Sequence, residues 1–249
     1  MSTTFSVIGT PIGNLEDITL RAISILKSSD LILCEDTRMT KKLLVRYDIH
    51  TATMSYHMHS KLARVEQIIG FLKEGKNLAL VSDAGTPGIS DPGAELMARI
   101  RLELAEQISD GTIKIESIPG PSALTAALSI SGVPCASFTF LGFLPHKKGR
   151  ETLFKEIAAS ERTVVFYESP HRIMKALESL VAHLSHSAEI KPQPARSDLG
   201  GLTSPKVTIC RELTKIFEEV VSGTAEEVKR YFESHQDNIR GEFVVIVSR

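Results

Sequence analysis

Polar residues that could act in catalysis follow the second predicted strand of this 249-residue chain. Leu31–Cys34 has the apolar character of a buried strand, and it runs directly into Glu35, Asp36, Thr37 and Arg38. Two carboxylates and a cation at the end of a strand could supply a base and an electrostatic partner. Alternatively, Asp36 or Thr37 caps the following helix and Arg38 pairs with a carboxylate. The sequence leaves both interpretations open.

A second candidate site is the loop that follows the apolar run Leu78–Val81. From Ser82 to Gly93 this loop carries three Gly, two Pro and two Asp residues. Open α/β sheets bind ligands at the carboxyl ends of their strands, where glycines let the main chain approach a ligand and prolines fix its path. The alternative is an ordinary crossover loop. Asp91 is predicted to cap the next helix, so its replacement by Ser should matter little.

Charged residues also follow predicted strands in the second half of the chain. The strand Thr163–Tyr167 ends in Glu168–Arg172, and Phe138–Phe143 is followed by a basic segment, His146, Lys147, Lys148, Gly149 and Arg150. Three cations close together would suit a phosphate-bearing partner, and a solvated charge cluster is the alternative.

Alternating strands and helices must position these residues. Such alternation predicts βαβ units and a mostly parallel sheet, hence an α/β fold. The pattern also predicts helices over 15–29, 94–108 and 173–184 and a flexible surface loop over 185–204. The rigid turn Pro119–Ser122 precedes a helix of small residues and marks a boundary. We therefore predict an N-terminal α/β domain over 1–118 and a C-terminal α/β domain over 119–249.

Composition limits the class of protein. A net charge of −1 argues against a protein that coats naked nucleic acid, although a local basic patch remains compatible with it. The three cysteines are far apart and odd in number, so they suggest neither a disulfide framework nor a metal site. With neither a signal peptide nor a membrane span in the sequence, we expect a reduced, cytoplasmic protein without a metal or a membrane partner.

Several motifs, taken in order, resemble the ribosomal RNA small subunit methyltransferase I family of the tetrapyrrole methylase superfamily. They are Thr10–Leu15 (TPIGNL), Cys34–Arg38 (CEDTR), Val81–Gly93 (VSDAGTPGISDPG), Ile118–Ala123 (IPGPSA), Tyr167–Arg172 (YESPHR), Arg211–Lys215 (RELTK) and Gly241–Val245 (GEFVV). The resemblance covers nearly the whole chain. It implies a two-domain tetrapyrrole methylase-like fold with the cofactor in the interdomain cleft, and a homodimer. It also implies transfer of a methyl group from S-adenosylmethionine to the ribose 2'-hydroxyl of a cytidine in the decoding region of 16S rRNA in the small ribosomal subunit.

The resemblance assigns residues to the cofactor and to the substrate. The turn from Thr10 to Gly13 would border the substrate, and the cofactor contacts would come from Pro11, Gly85, Thr86, Pro87, Gly88, Ile89, Ser122, Ala123, Tyr167, Glu212 and Leu213. A ribose hydroxyl is a poor nucleophile when neutral, so methyl transfer needs a base or a cation that favours the alkoxide. The candidates lie at strand ends: Glu35, Asp36, Asp83, His59 and Glu168 as bases, Arg38 and Arg172 as electrostatic helpers. From their charge and their position next to motif loops, rather than from the resemblance, we hypothesise that the basic segments 38–46 and 147–150 lie along the RNA.

The chain departs from the family pattern at two places, and its motifs also bear on two alternative functions. Met58 and Ser60 stand where the family carries Glu and Asn, and the stretch 185–204 is longer than usual. A methylase of a small tetrapyrrole precursor would carry a Gly-Asp-Pro loop, whereas this chain has Gly85, Thr86 and Pro87. A non-catalytic ribosome-binding module would have lost function in loops that are intact here.

Overall fold

The computed structural model describes residues 2–57, 62–91, 93–188 and 205–248, which form two compact units, Met1–Ser122 and Ala123–Arg249. The first unit reaches beyond the boundary predicted at residue 118, because the turn Pro119–Ser122 packs on loops of that unit. Within the described ranges, every helix is too short or too polar to cross a membrane.

The first unit is a five-stranded parallel sheet with helices on both faces. Its elements in chain order are β1 (Thr3–Ile8), α1 (Leu20–Ser28), β2 (Leu31–Cys34), α2 (Thr37–Arg46), β3 (Thr53–Ser55), α3 (Leu62–Lys73), β4 (Leu78–Val81), α4 (Gly93–Glu103), α5 (Ala105–Ser109) and β5 (Ile113–Ile118). The strand order is β3-β2-β4-β1-β5. Because all five strands run the same way, the loops that follow them lie at one edge, the carboxyl edge of this sheet.

Right-handed crossovers explain which helices cover which face of this sheet. The chain moves in one direction from β1 to β3 and back from β3 to β5, so α1 and α2 cover one face and α3 and α4 cover the other. Strand residues alternate accordingly: Leu78 and Leu80 pack toward α3 and α4, whereas Ala79 and Val81 pack toward α1 and α2. Burial on both faces is why these strands read as continuous apolar runs.

The second unit is a mixed five-stranded sheet with strand order β6-β7-β10-β8-β9. Its elements are α6 (Ala123–Ile130), β6 (Phe138–Phe143), α7 (Arg150–Ala159), β7 (Thr163–Glu168), α8 (Ile173–Ala188), β8 (Lys206–Arg211), β9 (Glu219–Gly223), α9 (Ala225–Ser234) and β10 (Phe243–Ser248). Helices α7, α8 and α9 pack on one face around Phe166, Phe232 and Phe243. Strands β6, β7 and β8 run in the same direction and β10 runs antiparallel to β7 and β8. The carboxyl ends of β6, β7 and β8 therefore lie at one edge of the sheet.

Three predicted helices differ from the observed ones for local reasons. The first begins at Leu20, because Asn14 caps a separate 3-10 turn, Leu15–Asp17, and Thr19 caps α1. The helix predicted over 94–108 is two helices that break at Leu104. The helix predicted to end at residue 184 continues to Ala188, so the first part of the predicted loop 185–204 is helical, and residues 189–204 lie outside the described ranges.

Close packing of two glycines joins the loops after β1 and β5. A Cβ atom on Gly120 would lie 2.7 Å from the carbonyl oxygen of Gly9, and one on Gly9 would lie 2.9 Å from the Gly120 Cα. Main chain cannot yield as a flexible side chain can. Only glycine at both positions allows this approach, which holds the turn Pro119–Ser122 against β1.

We expect Gly120→Ala to lower the free energy of unfolding by about 1–3 kcal/mol, because the methyl group must displace backbone. The measurement is urea unfolding followed by circular dichroism. Gly70→Ala is the control: it lies inside α3, an added Cβ there meets nothing within 4 Å, and it should gain about 0.5–1 kcal/mol. Equal stabilities for the two variants would contradict this account of the contact.

Candidate active site

The loops at the carboxyl edge of the first sheet are joined by hydrogen bonds between main-chain groups. The Thr10 N–H donates to the Gly85 carbonyl at 2.9 Å, and the Gly85 N–H donates to the Thr10 carbonyl at 3.0 Å. The buried Thr10 hydroxyl adds bonds to the carbonyls of Ser82 and Gly85. These bonds hold the loops after β1 and β4 as one piece. Sequence reasoning placed Thr10 beside the substrate, but no sequence pattern indicated its pairing with Gly85.

The loop after β5 is attached to the same piece. The Thr86 hydroxyl donates to the carbonyl of Pro121 at 3.3 Å, and a Cβ on Gly85 would contact Ile12 and the Pro121 carbonyl. Of the predicted cofactor residues here, Pro11, Gly85 and Pro87 are buried, Thr86 and Gly88 are half-buried, and the Ile89 side chain is 46% exposed. Ser122 ends this loop and Ala123 begins α6, and both are half-buried. The structure therefore brings together the predicted residues from Pro11 to Ser122 that belong to the first unit.

The predicted cofactor loop owes its shape to left-handed residues and to Asp91. Gly85 and Gly88 have φ of +79° and +89°, and Ser90 also has a positive φ of +67°. One carboxylate oxygen of Asp91 accepts the N–H groups of both Gly88 and Gly93 at 2.7 Å. Asp91 thus caps the start of α4 as predicted and also fixes Gly88. The prediction that Asp91→Ser matters little neglected this second bond, which the sequence pattern of a helix cap does not reveal.

Carboxylates from two neighbouring strands meet beside this loop. Asp83 accepts the Asp36 N–H at 3.0 Å, and Glu35 accepts the Asp83 N–H at 3.4 Å. Partial burial raises the pKa of Glu35, and the negative charges of Asp91 and Asp83 raise it further. Glu35 is therefore a carboxylate whose proton affinity is enhanced, as general-base catalysis requires.

Asp36 and Arg38, the other two catalytic candidates, pair with each other. The Asp36 side chain accepts the Arg38 N–H and caps α2, and the Arg38 guanidinium binds the same carboxylate at 2.7 Å. These bonds lower the pKa of Asp36 to about 2, which makes it a weak base. The helix-capping interpretation is therefore the one that the geometry supports for Asp36, and it leaves Glu35 as the better base.

In the second unit, the remaining predicted cofactor residues lie at the shared carboxyl edge of β7 and β8. The half-buried Tyr167 ring packs edge-on against Phe140 and Phe143, with centroids 4.9 and 5.3 Å away. Glu212, which directly follows β8, has a positive φ of +50° and binds Lys215 Nζ at 2.8 Å, and Leu213 is buried. A non-glycine residue in this conformation costs free energy and often marks a functional loop.

Glu168 does not suit the role of base that the sequence allowed. Its side chain is fully buried, and both carboxylate oxygens are bonded: Arg150 Nη2 lies 2.7 Å from one and Arg172 Nε lies 2.9 Å from the other. Arg172 is likewise engaged in this pair rather than free to act on a substrate. The described residues do not include His59, a further candidate base, or Met58 and Ser60, the two departures from the family pattern.

The carboxylates at the first-unit edge suit a cofactor that carries positive charge, as the predicted S-adenosylmethionine does. The cofactor carries a sulfonium and an ammonium cation, and Glu35, Asp83 and Asp91 crowd negative charge at this edge. Burial and the charges of Asp91 and Asp83 raise the pKa of Glu35, and a cation placed here would favour its charged form. The exposed Ile89 side chain beside the half-buried Gly88 offers an apolar surface on which an uncharged part of the cofactor can pack.

Comparison with known proteins identifies relatives along nearly the whole chain. Proteins named ribosomal RNA small subunit methyltransferase I are 43% identical in Halalkalibacterium halodurans over 98% of this chain and 75% of that protein. The relative in Thermotoga maritima is 39% identical over 97% of this chain and 96% of its own length. That in Bacillus subtilis is 41% identical over 97% of this chain and 73% of its own length.

Solved structures show the same fold at low sequence identity. Diphthine synthase superposes with a TM-score of 0.65 at 15% identity, covering 99% of this chain and 90% of that one. Cobalt precorrin-4 methyltransferase, a cobalamin biosynthetic enzyme, superposes with a TM-score of 0.58 at 15% identity, covering 98% and 94%. The model of the tetrapyrrole (corrin/porphyrin) methylases matches residues 4–229. The predicted fold class, cofactor and type of enzyme are confirmed: the chain belongs to the tetrapyrrole methylase family of S-adenosylmethionine-dependent methyltransferases.

Proposed function

We propose that this protein methylates the ribose 2'-hydroxyl of a cytidine in 16S rRNA of the small ribosomal subunit, within the cytoplasm. The observation that carries the proposal is the 39–43% identity, over nearly the whole chain, to proteins named for methylation of small-subunit ribosomal RNA. The solved structures named for the modification of tetrapyrroles, among them cobalt precorrin-4 methyltransferase and uroporphyrin-III-C-methyltransferase, are only 15–16% identical to this chain and show the fold alone.

In the proposed reaction, Glu35 is the general base. When bound, S-adenosylmethionine supplies an electrophilic methyl group on a sulfonium. The loop that contains Gly85 and Gly88 is held by Asp91, and its main chain positions the methyl group. The Glu35 carboxylate accepts the proton of the ribose 2'-hydroxyl while the hydroxyl oxygen attacks the methyl carbon and the sulfonium sulfur keeps the electron pair of the broken bond. The raised pKa of Glu35 makes its carboxylate a stronger proton acceptor than Asp36. Asp36 and Arg38 stabilise the start of α2 and so position Glu35, which directly precedes them in the chain.

Helix α2 offers a basic surface beside Glu35. Lys41, Lys42 and Arg46 are exposed on this helix, which begins two residues after Glu35. Phosphates of the RNA would be attracted to this surface, which supports its place on the substrate path. Cofactor contacts from Tyr167, Glu212 and Leu213, and assembly as a homodimer, remain predictions from the family resemblance.

The direct test of the function uses labelled S-adenosylmethionine with small ribosomal subunits that lack the modification. We expect label on one cytidine of 16S rRNA, located to the ribose by its resistance to alkaline cleavage. A porphyrinogen precursor is the competing acceptor in a parallel reaction. Label in the tetrapyrrole, or in a base rather than a ribose, would contradict the proposal.

Replacing Glu35 with Gln should lower kcat by about 10²- to 10⁴-fold with little change in cofactor affinity. In the wild type, kcat should fall as the pH falls through the raised pKa of Glu35, and the variant should lose this dependence.

The same substitution should change stability. A carboxyl with a raised folded-state pKa stabilises the fold below its unfolded-state pKa, and this contribution is lost as the pH rises through the folded-state pKa. At pH 7 the charged Glu35 carboxylate is therefore less favourable in the folded state than in the unfolded state. A neutral Gln at this position removes that cost and should raise Tm.

Glu66→Gln makes the same chemical change on the exposed surface of α3 and serves as the control. It should leave kcat, its pH dependence and Tm unchanged. A Glu35→Gln enzyme that keeps the wild-type pH profile would eliminate Glu35 as the base.

Asp91→Ala should weaken S-adenosylmethionine binding by about ten-fold, because the loop loses the acceptor that fixes the N–H groups of Gly88 and Gly93. Asp91→Asn retains an oxygen at this position and should bind the cofactor nearly as the wild type does. Titration calorimetry measures both. If the two variants bound equally well, anchoring by Asp91 would not matter to the cofactor site.

A further inference from the structure

A buried carboxylate in the second unit joins three segments of the chain. Glu168 ends β7 and is fully buried, and it accepts bonds from Arg150, the first residue of α7, and from Arg172. Its Oε1 also accepts the Ser169 N–H at 2.9 Å. Two guanidinium groups and a backbone N–H compensate the negative charge, which would otherwise be very costly to bury.

The same two arginines also hold the segment that links β6 to α7. Arg172 Nη1 donates to the carbonyl of Leu144 at 3.0 Å, and Arg150 Nη1 donates to the carbonyl of Pro145 at 3.3 Å. The segment ends at Gly149, whose φ of +82° turns the chain into α7. Both ends of the segment 145–149 are thereby tied to one buried carboxylate.

Two of the side chains between these ends are exposed lysines. Lys147 and Lys148 are exposed, as is His146, whereas Arg150 is only 14% exposed and is paired with Glu168. Of the three cations that the sequence grouped here, two therefore face solvent and the third holds them in place. The bonds of Arg150 and Arg172 to the main chain of this segment hold the backbone that carries the two lysines.

The segment lies at the edge of the second sheet that carries the predicted cofactor residues. Strand β6 is parallel to β7, so the segment that follows β6 lies next to the end of β7. Phe143, the last residue of β6, contacts the Tyr167 ring. Tyr167 and Glu168 point to opposite faces of the sheet, so the carboxylate can support the segment without touching the tyrosine.

We propose that the segment 145–149 is an RNA-binding arm that grips backbone phosphates with Lys147 and Lys148, and that Glu168 is its positioning residue. The proposal rests on the RNA substrate argued above. Cations held in a fixed geometry lose less conformational entropy on binding than cations on a mobile loop, so the buried cluster increases affinity for RNA without touching it. Phosphate contacts of this kind position the RNA and do not read its sequence.

The first test replaces both lysines, as Lys147→Ala with Lys148→Ala, and measures binding of the protein to small ribosomal subunits across salt concentrations. We expect weaker binding and a slope of log K against log salt reduced by about 1.4, or about 0.7 for each lost phosphate contact on single-stranded RNA. The control, Lys27→Ala with Lys73→Ala, removes the same charge from exposed sites near the opposite edge of the first sheet. Equal slopes for the two double variants would overturn the arm.

The second test separates positioning from general stability with a mutant cycle. Glu168→Gln should weaken subunit binding by about five- to ten-fold in the wild-type background, since two long side chains must now be ordered on binding. In the background that lacks Lys147 and Lys148 it should have no further effect. S-adenosylmethionine affinity should stay at the wild-type value in both backgrounds. A loss of equal size in both backgrounds, or a loss of cofactor affinity, would show a merely structural role and overturn the assignment.

Arg150→Gln provides the same cycle if Glu168→Gln does not fold, because it keeps the pair of Arg172 with Glu168 and removes the bonds of the Arg150 guanidinium to Glu168 and to the Pro145 carbonyl. The arm and the proposed function fail in distinguishable ways. Normal methylation of 16S rRNA with an unchanged salt slope in the lysine variant would reject the arm alone, whereas absence of ribose methylation by the wild type would reject the function.

Discussion

The two hydrogen bonds between Thr10 and Gly85 are the constraint on which the candidate active site depends. They join the loops after β1 and β4, which belong to adjacent strands but are separated by more than 70 residues of chain. The Thr86 bond to Pro121 and the contact of Gly9 with Gly120 then attach the loop after β5, and Asp83 attaches the loop after β2. Four loops form one rigid rim, and a rigid rim can hold a sulfonium and a hydroxyl in line.

Charge is handled differently in the two units. At the edge of the first sheet, partial burial raises the pKa of Glu35, and the negative charges of Asp91 and Asp83 raise it further. In the second unit, the charge of Glu168 is neutralised by two arginines, and its carboxylate oxygens are both engaged in these pairs. An uncompensated carboxylate can bind a cation or a proton, whereas a compensated one can only hold structure. This difference is what separates a candidate base from a positioning residue.

Prediction from the sequence was accurate where local pattern decides structure. The strands Leu31–Cys34 and Leu78–Val81 were predicted with the bounds that the structure shows, because short apolar runs report burial directly. It failed where a capping residue interrupts the pattern, as at Thr19, or where periodicity continues across a break, as at Leu104. The edge strand β9 was also missed, since its alternation of half-buried and exposed residues resembles an amphipathic segment.

The sequence by itself determined the α/β class, the position of each special loop after a strand, and, through its motifs, the family and the cofactor. Only the tertiary structure decided which polar residues are free to act. Glu35, Asp36 and Glu168 are equivalent as acidic residues at strand ends, but Glu35 is partly buried beside other carboxylates, Asp36 caps a helix beside Arg38, and Glu168 is buried between two arginines. The partner of Asp36 is the nearby Arg38, so the sequence could offer its helix cap as one alternative. Glu35 and Glu168 depend on burial and on Asp83, Asp91 and Arg150, which are distant in the sequence, so no local pattern contains their properties.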